Sequence, residues 1–131
     1  MSYTNPKVRN VRTRFTVAQV NAGATLVPKV LGQRLRLVRA SAIAVGGAAT
    51  AVTTVDILGT QATASVKLVA YAQASLTQSA ELKSGNSGAT ILADGASYAA
   101  CDAGTAITVG KTGSNVATAT HIDVIADYVI E

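Results

Sequence analysis

Apolar and polar side chains alternate with a period of two wherever this chain shows a period, and the alternating runs are rich in β-branched residues, with 16 Val and 16 Thr. That is the pattern of half-buried strands. From Val8 to Val17, Val11, Thr13, Phe15 and Val17 share one face, while Asn10, Arg12, Arg14 and Thr16 share the other. Asn21-Ala22-Gly23 reads as a turn, and a short run, Ala24 to Val27, ends at Pro28. Arg34 to Val45 sets Leu35, Leu37, Ile43 and Val45 on one side, but Arg39 falls on the Leu side. A bulge, or a strand that passes from the core to an edge, would account for that break.

Gly46-Gly47 closes the segment, and Thr50 to Leu58 comes next, with Ala51, Thr53, Val55 and Ile57 facing one way. Ser65 to Ala72 is semi-apolar on both faces, as a strand covered on both sides would be. Gln73 to Ala80 fits either a strand or a helical turn, Ser84 to Gly88 a loop, and Thr90 to Ala93 a short strand. Asp94-Gly95 is the strongest hairpin dipeptide in the chain. Thr105 to Val109 predicts another short strand, Gly110 to Asn115 a connection, and Thr118 to Ile130 the most regular strand. There Ile122, Val124, Ala126, Tyr128 and Ile130 oppose His121, Asp123, Ile125, Asp127 and Val129. The chain ends on this strand, which predicts a terminus tied into a sheet with no tail beyond it.

About eight strands with frequent turn signals and no competing helix of useful length predict one all-β domain, a sandwich or jelly roll. The length suits a single core, and a compact monomer of 13.2 kDa would expose roughly 6,400 Å². That core is built from small side chains, because 25 residues are Ala and only five are aromatic: Tyr3, Phe15, Tyr71, Tyr98 and Tyr128. Neither a disulfide nor a metal can reinforce it, since Cys101 and His121 are each single. Cys101 reads as a partly buried, unpaired small side chain. Association with copies of the same chain is the remaining way to increase burial.

The first ten residues lack the apolar core of a secretory signal. The longest nearly apolar stretch, Ala40 to Val52, is too short for a membrane span, which predicts synthesis in a reducing cytoplasm and no membrane partner.

Charge changes the picture more than composition does. Eight of the 11 basic residues precede position 40, and no acidic residue appears before Asp56. Arg12 and Arg14 alternate on one predicted strand and Arg34 and Arg36 on another, so two adjacent strands would present one cationic strip. Lys7, Arg9, Arg12, Arg14, Arg34, Arg36 and Arg39 are therefore the candidate docking residues, and an acidic protein surface is the partner they fit. An ordinary solvated sheet face competes with that reading. Nucleic acid is disfavoured, because single-strand binding interleaves aromatic platforms with the charges and only Phe15 lies nearby, on the opposite face. Pro6 and the charges around it predict an extended basic arm over residues 1–14 leading into the first strand, with the sandwich over residues 15–131.

Catalytic chemistry finds little footing. Gly110-Lys111-Thr112 resembles the end of a phosphate-binding loop, but position 105 is Thr where that motif needs Gly. His121 and Asp123 share a strand face, as the base and orienting acid of a triad would, without a GxSxG partner. Asp94 and Asp102 stand in loops with no neighbouring carboxylate motif. The expectation is a protein that is not an enzyme and has no catalytic residues, cofactor or metal.

Three stretches carry a resemblance: Val20 to Pro28 (VNAGATLVP), Arg39 to Gln61 (RASAIAVGGAATAVTTVDILGTQ) and Ile91 to Glu131. In phrasing and turn spacing the chain resembles the capsid decoration, or cement, proteins of tailed bacteriophages over most of its length after Thr16. The resemblance implies a jelly-roll subunit, in preference to an immunoglobulin-like sandwich. It also implies a homotrimer on the head exterior that clamps neighbouring major capsid subunits, made in the bacterial host's cytoplasm. A trimeric β-module of a phage tail, fibre or baseplate, with a receptor-binding or adaptor role, is the alternative. No residue role is carried over with the resemblance.

Overall fold

A computed structural model describes residues 7–131. Among the described residues nine strands form in chain order: β1 (Arg9–Thr16), β2 (Ala24–Val27), β3 (Leu35–Val45), β4 (Ala49–Gln61), β5 (Ala64–Ala72), β6 (Glu81–Lys83), β7 (Ala89–Ile91), β8 (Ile107–Thr118) and β9 (His121–Ile130). One short helix, α1 (Val17–Ala22), and two 3-10 turns, Gln73–Ser75 and Ala96–Tyr98, complete the elements.

The strands make two sheets, ordered β1-β9-β3-β6 and β2-β8-β4-β5-β7. Their pairing is nested. β4 lies against β5, β3 against β6, β2 against β8 and β1 against β9, every pair antiparallel. A long antiparallel ribbon rolled up in this way is a jelly roll, and β7 adds one strand beyond β5. Both sheets close on a single core. Phe15, Leu35, Leu37, Ile122 and Val124 come from the four-stranded sheet, and Val55, Ile57, Leu68, Tyr71, Ile107 and Val109 from the five-stranded one. The accessible surface is 6635 Å², close to the value of roughly 6,400 Å² for a compact monomer of this mass. What association needs from another molecule is therefore a complementary surface.

Four local readings are corrected. The alternation of the first strand does not continue through Val17: α1 starts there, because Thr16 and Gln19 form a capping box. Thr16 Oγ1 accepts the Gln19 N–H at 3.2 Å and Gln19 Oε1 accepts the Thr16 N–H at 2.9 Å. The bulge in β3 falls between Leu37 and Arg39 as the broken alternation predicts, and the extra residue inverts the facing of the rest of the strand. Ala40, Ala42 and Ala44 enter the core, while Ile43 and Val45 turn outward.

Gly110 to Asn115 is not a connection, since β8 runs through it, paired with β4 across register shifts around Val52. Gly113 allows this at φ +87, where a Cβ would collide with the Thr53 side chain. Asp94-Gly95 does not join paired strands. Asp94 Oδ1 accepts the Ala96 N–H at 2.9 Å and the chain enters the second 3-10 turn, while β7 pairs with β5. The ambiguous stretch from Gln73 begins as a 3-10 turn, and β6 is an additional short strand.

Candidate functional site

The seven basic candidates all lie on or beside β1 and β3, but these strands are not neighbours. β9 runs between them. Its outward register positions carry Asp123 and Asp127, with Glu131 just past its end, so the acidic C-terminal segment is folded into the middle of the basic N-terminal one. Each outward arginine of the sheet finds a carboxylate there.

Arg14 grips Asp123 with both prongs, Nε donating to Oδ1 at 2.8 Å and Nη2 to Oδ2 at 3.0 Å, and Arg12 Nη2 stands 3.7 Å from the same carboxylate. Arg39 Nε lies 3.0 Å from Asp127, whose other oxygen accepts Asn10 Nδ2 at 2.7 Å. Arg36 Nε donates to Glu131 at 2.7 Å. The bulge places Arg39 opposite Asp127, so the irregularity in β3 sets this ion pair.

The pairing does not cancel the charge. The four strands of this sheet, with Lys7, Arg34 and Glu131 at their ends, hold eight cations against four anions, Glu81, Asp123, Asp127 and Glu131, an excess of four positive charges. Lys29, Lys67 and Lys111 balance Asp56, Asp94 and Asp102 elsewhere. The formal net charge of +4 thus belongs to one side of the molecule. Lys7, Arg9 and Arg34 make no ion pair among the described residues. Arg9 begins β1, with Lys7 two residues before it, at the end of the sheet where β9 finishes rather than on its open face. Residues 9–14 of the predicted arm are thus a paired strand of this chain's own sheet, and residues 1–6 lie outside the described residues.

A shallow groove of about 350 Å³ opens on the same face. Ser41, Ser84 and Ile125 line it, flanked by the Arg39–Asp127 pair and by Lys83 and Glu81, which approach to 3.8 Å. Sequence reasoning misses both the groove and the acids that partner the arginines. The even spacing of Asp123, Asp127 and Glu131 places them on one strand face, and only the sheet order says what stands beside them.

Asp123 is only 3% exposed, and the Arg14 hydrogen bonds, followed by the charges of Arg14 and Arg12, hold its carboxyl below the usual carboxylate range against the opposing effect of burial. A depressed folded-state value means that the native state is stabilised above the unfolded aspartate value of about 3.9, and that this contribution disappears as pH falls through the folded value. Asp123→Asn is therefore expected to flatten the fall of the melting temperature below about pH 4. Thermal unfolding followed from pH 6 to pH 2 checks it, and an unchanged acid limb in the variant refutes the assignment.

The other ionisable groups serve the framework. Asp102 accepts the N–H groups of Ala62 and Thr63 at 3.1 and 2.8 Å, fixing a turn whose two residues have φ +51 and +64. His121 Nδ1 meets Thr120 Oγ1 at 3.1 Å, while Asp123 is taken up by the arginines, so the two do not form a catalytic pair. Lys111 lies within β8, where its Nζ donates to the Gly113 carbonyl at 2.7 Å, and no helix comes after it. Cys101 is fully buried, and burial pushes its thiol above the ordinary value. Among the described residues no three His, Cys, Asp or Glu gather as a metal site, and no helix is long and apolar enough to cross a membrane. Comparison with protein families, characterised proteins and solved structures finds no match for this chain.

Proposed function

We propose that this chain is a structural virion protein that binds the outer surface of a bacteriophage head as a trimer and stabilises contacts between major capsid subunits. The observation that carries the reading is the confinement of the whole net charge to the β1-β9-β3-β6 side of a rigid jelly roll. Such a side is steered towards an acidic shell and holds a fixed orientation on it. The trimer and the choice of a phage head come from the resemblance in phrasing over Val20–Pro28, Arg39–Gln61 and Ile91–Glu131. Mechanically, a subunit bridging two capsid chains adds its own contacts to those that must break when the shell yields. Preferential binding to the expanded shell would stabilise that state by differential affinity.

The test is co-sedimentation with purified heads lacking this chain, at rising salt, with copies counted per particle. Screening shortens from about 10 Å at 0.1 M to about 3 Å at 1 M, so binding falls steeply over that range. The double variant Arg9→Glu, Arg12→Glu is expected to lose roughly tenfold in affinity at low salt, with its circular dichroism unchanged, since both side chains are exposed. Saturation at a copy number matching the major capsid protein supports the reading. A few copies per particle would move the chain to a tail, fibre or baseplate, and salt-independent binding would overturn the electrostatic contact.

A further inference from the structure

One end of the sandwich combines features that no framework role explains. β1 begins there, β9 finishes there, and the loop between β2 and β3 leads into the start of β3 there. The three exposed large hydrophobic residues of the described chain are all in this region: Leu31 at 91%, Val8 at 52% and Val30 at 37%. Around them stand Lys7, Arg9, Lys29 and Arg34, none with an ion pair among the described residues. Of the carboxylates near this end, Glu131 is already held by Arg36 and Asp102 by the Ala62 and Thr63 N–H groups. We infer that Leu31 is the apolar anchor of a docking tip whose partner is a protein with an acid-rimmed apolar hollow.

The tip is built to hold its shape. The Gln33 N–H donates to the Val30 carbonyl at 3.0 Å, closing a turn with Leu31 and Gly32 at its corner, and Gly32 has φ +74, a conformation that favours glycine. Pro28 restricts one flank of the loop. The other flank is tied down three times: Gly104 N–H to the Gln33 carbonyl at 2.8 Å, Arg34 N–H to the Glu131 carbonyl at 3.0 Å, and Glu131 N–H to the Arg34 carbonyl at 2.8 Å. A leucine presented on a fixed turn loses little freedom when it is buried.

Charge selects the partner. A second copy would bring four unpaired cations against four more, while of the carboxylates near this end Glu131 is held by Arg36 and Asp102 by the Ala62 and Thr63 N–H groups. Phosphate backbones satisfy cations but have no use for an aliphatic corner. A lipid surface is held by a broad apolar face, and one leucine with two valines is too little. An acidic protein surface with an apolar pocket satisfies both features, an anchor at the centre and charges at the rim.

This inference rests on the proposed attachment to a phage head, and one series of measurements separates the two. Head binding is compared for the wild type, Leu31→Ser, Leu31→Met and the pair Lys29→Glu, Arg34→Glu, with sedimentation velocity of each protein alone. Leu31→Ser is expected to weaken binding by roughly ten- to a hundredfold, the worth of one leucine side chain, while Leu31→Met retains it. The charge pair is expected to weaken binding at low salt only. Wild type that binds with Leu31→Ser equal to it overturns the anchor and leaves the head reading standing. Wild type that does not bind overturns the head reading and the anchor with it. If Leu31→Ser instead dissolves an assembly of the protein alone, or abolishes binding to phosphatidylserine vesicles, the occupant is a second copy or a lipid surface and the inference falls.

Discussion

Tyr71→Phe is expected to make the protein more stable, by about 1–2 kcal/mol, whereas Tyr71→Ala is expected to cost about 3–5 kcal/mol. Tyr71 sits on β5 between Val55 of β4 and Ala89 of β7, and it is completely buried. It is the largest side chain to be so, in a core filled, apart from Phe15 and Cys101, by Leu, Ile, Val and Ala. Removing the ring would leave the widest void this core can hold, and small neighbours fixed in sheets have little means of closing it.

The hydroxyl is a different matter. Among the described residues it is the buried side-chain polar atom with no hydrogen-bond partner, and burial pushes its ionisation above the ordinary phenolic value. A buried hydroxyl left unpaired costs about 1–3 kcal/mol, and phenylalanine removes that cost while keeping the ring. Urea unfolding of the three proteins, with a common slope, measures both signs. A Phe variant less stable than wild type would mean that the hydroxyl is bonded, as a buried water would allow, and would overturn the assignment.

How far the sequence predicts this molecule depends on whether the information is local. Period-two alternation locates β1, β3 and β9, because each has one face in the core and one outside. In β4 the register shifts around Val52 bury Val52 and leave Ala51 and Thr53 exposed, against the facing the sequence predicts, and in β5 a shift lets the consecutive Leu68 and Val69 both enter the core. The break beside Arg39 is equally legible, since a charge on the apolar side of a strand calls for a bulge or a passage to an edge, and the register shows the bulge. Its consequence is not: the inserted residue swaps Ile43 and Val45 for Ala40, Ala42 and Ala44, and nothing local says that alanines suit that part of the core better. Gly110 to Asn115 reads as a loop on composition, yet Gly110 to Gly113 pair with β4 beyond Val109, where the pairing with β2 stops, and that pairing overrides the turn preference of the glycines. The capping box at Thr16 and Gln19 is visible in the sequence, but a six-residue helix after a clear strand has too little periodicity to announce itself.

The docking face divides in the same way. Its cations are evident from their clustering before position 40, and their partners are hidden because they lie 88 residues or more away, the shortest span being Arg39 to Asp127. Only the jelly-roll winding, which inserts β9 between β1 and β3, brings Asp123 to Arg14 and Asp127 to Arg39. Leu31 carries no pattern at all. A leucine in a loop between Pro28 and Gly32 gains meaning from being 91% exposed in a structure that hides nearly every other leucine.

Asp56→Ala is expected to destabilise the protein by about 2–4 kcal/mol, more than the loss of any surface ion pair on the opposite sheet. Asp56 lies in the middle of β4, central in its sheet, and is only 1% exposed although its side chain points away from the core residues Val55 and Ile57. Two hydroxyls make that position tenable. Thr54 Oγ1 donates to Oδ1 at 2.7 Å and Thr112 Oγ1 to Oδ2 at 2.6 Å, with Lys67 Nζ 3.9 Å from Oδ2. Hydrogen bonds to an ionised group contribute about 1.5–3 kcal/mol, and the carboxylate here ties three strands, β4, β5 and β8, across one face. Asp56→Asn preserves the shape but replaces one acceptor oxygen with a donor, so one of the two hydroxyls loses its partner and about half the penalty is expected. Urea unfolding of the Ala and Asn variants, alone and with Thr112→Val, separates the network from the single residue. Strong non-additivity between Asp56→Ala and Thr112→Val is the expected result, and simple additivity would show that the hydroxyl and the carboxylate act independently.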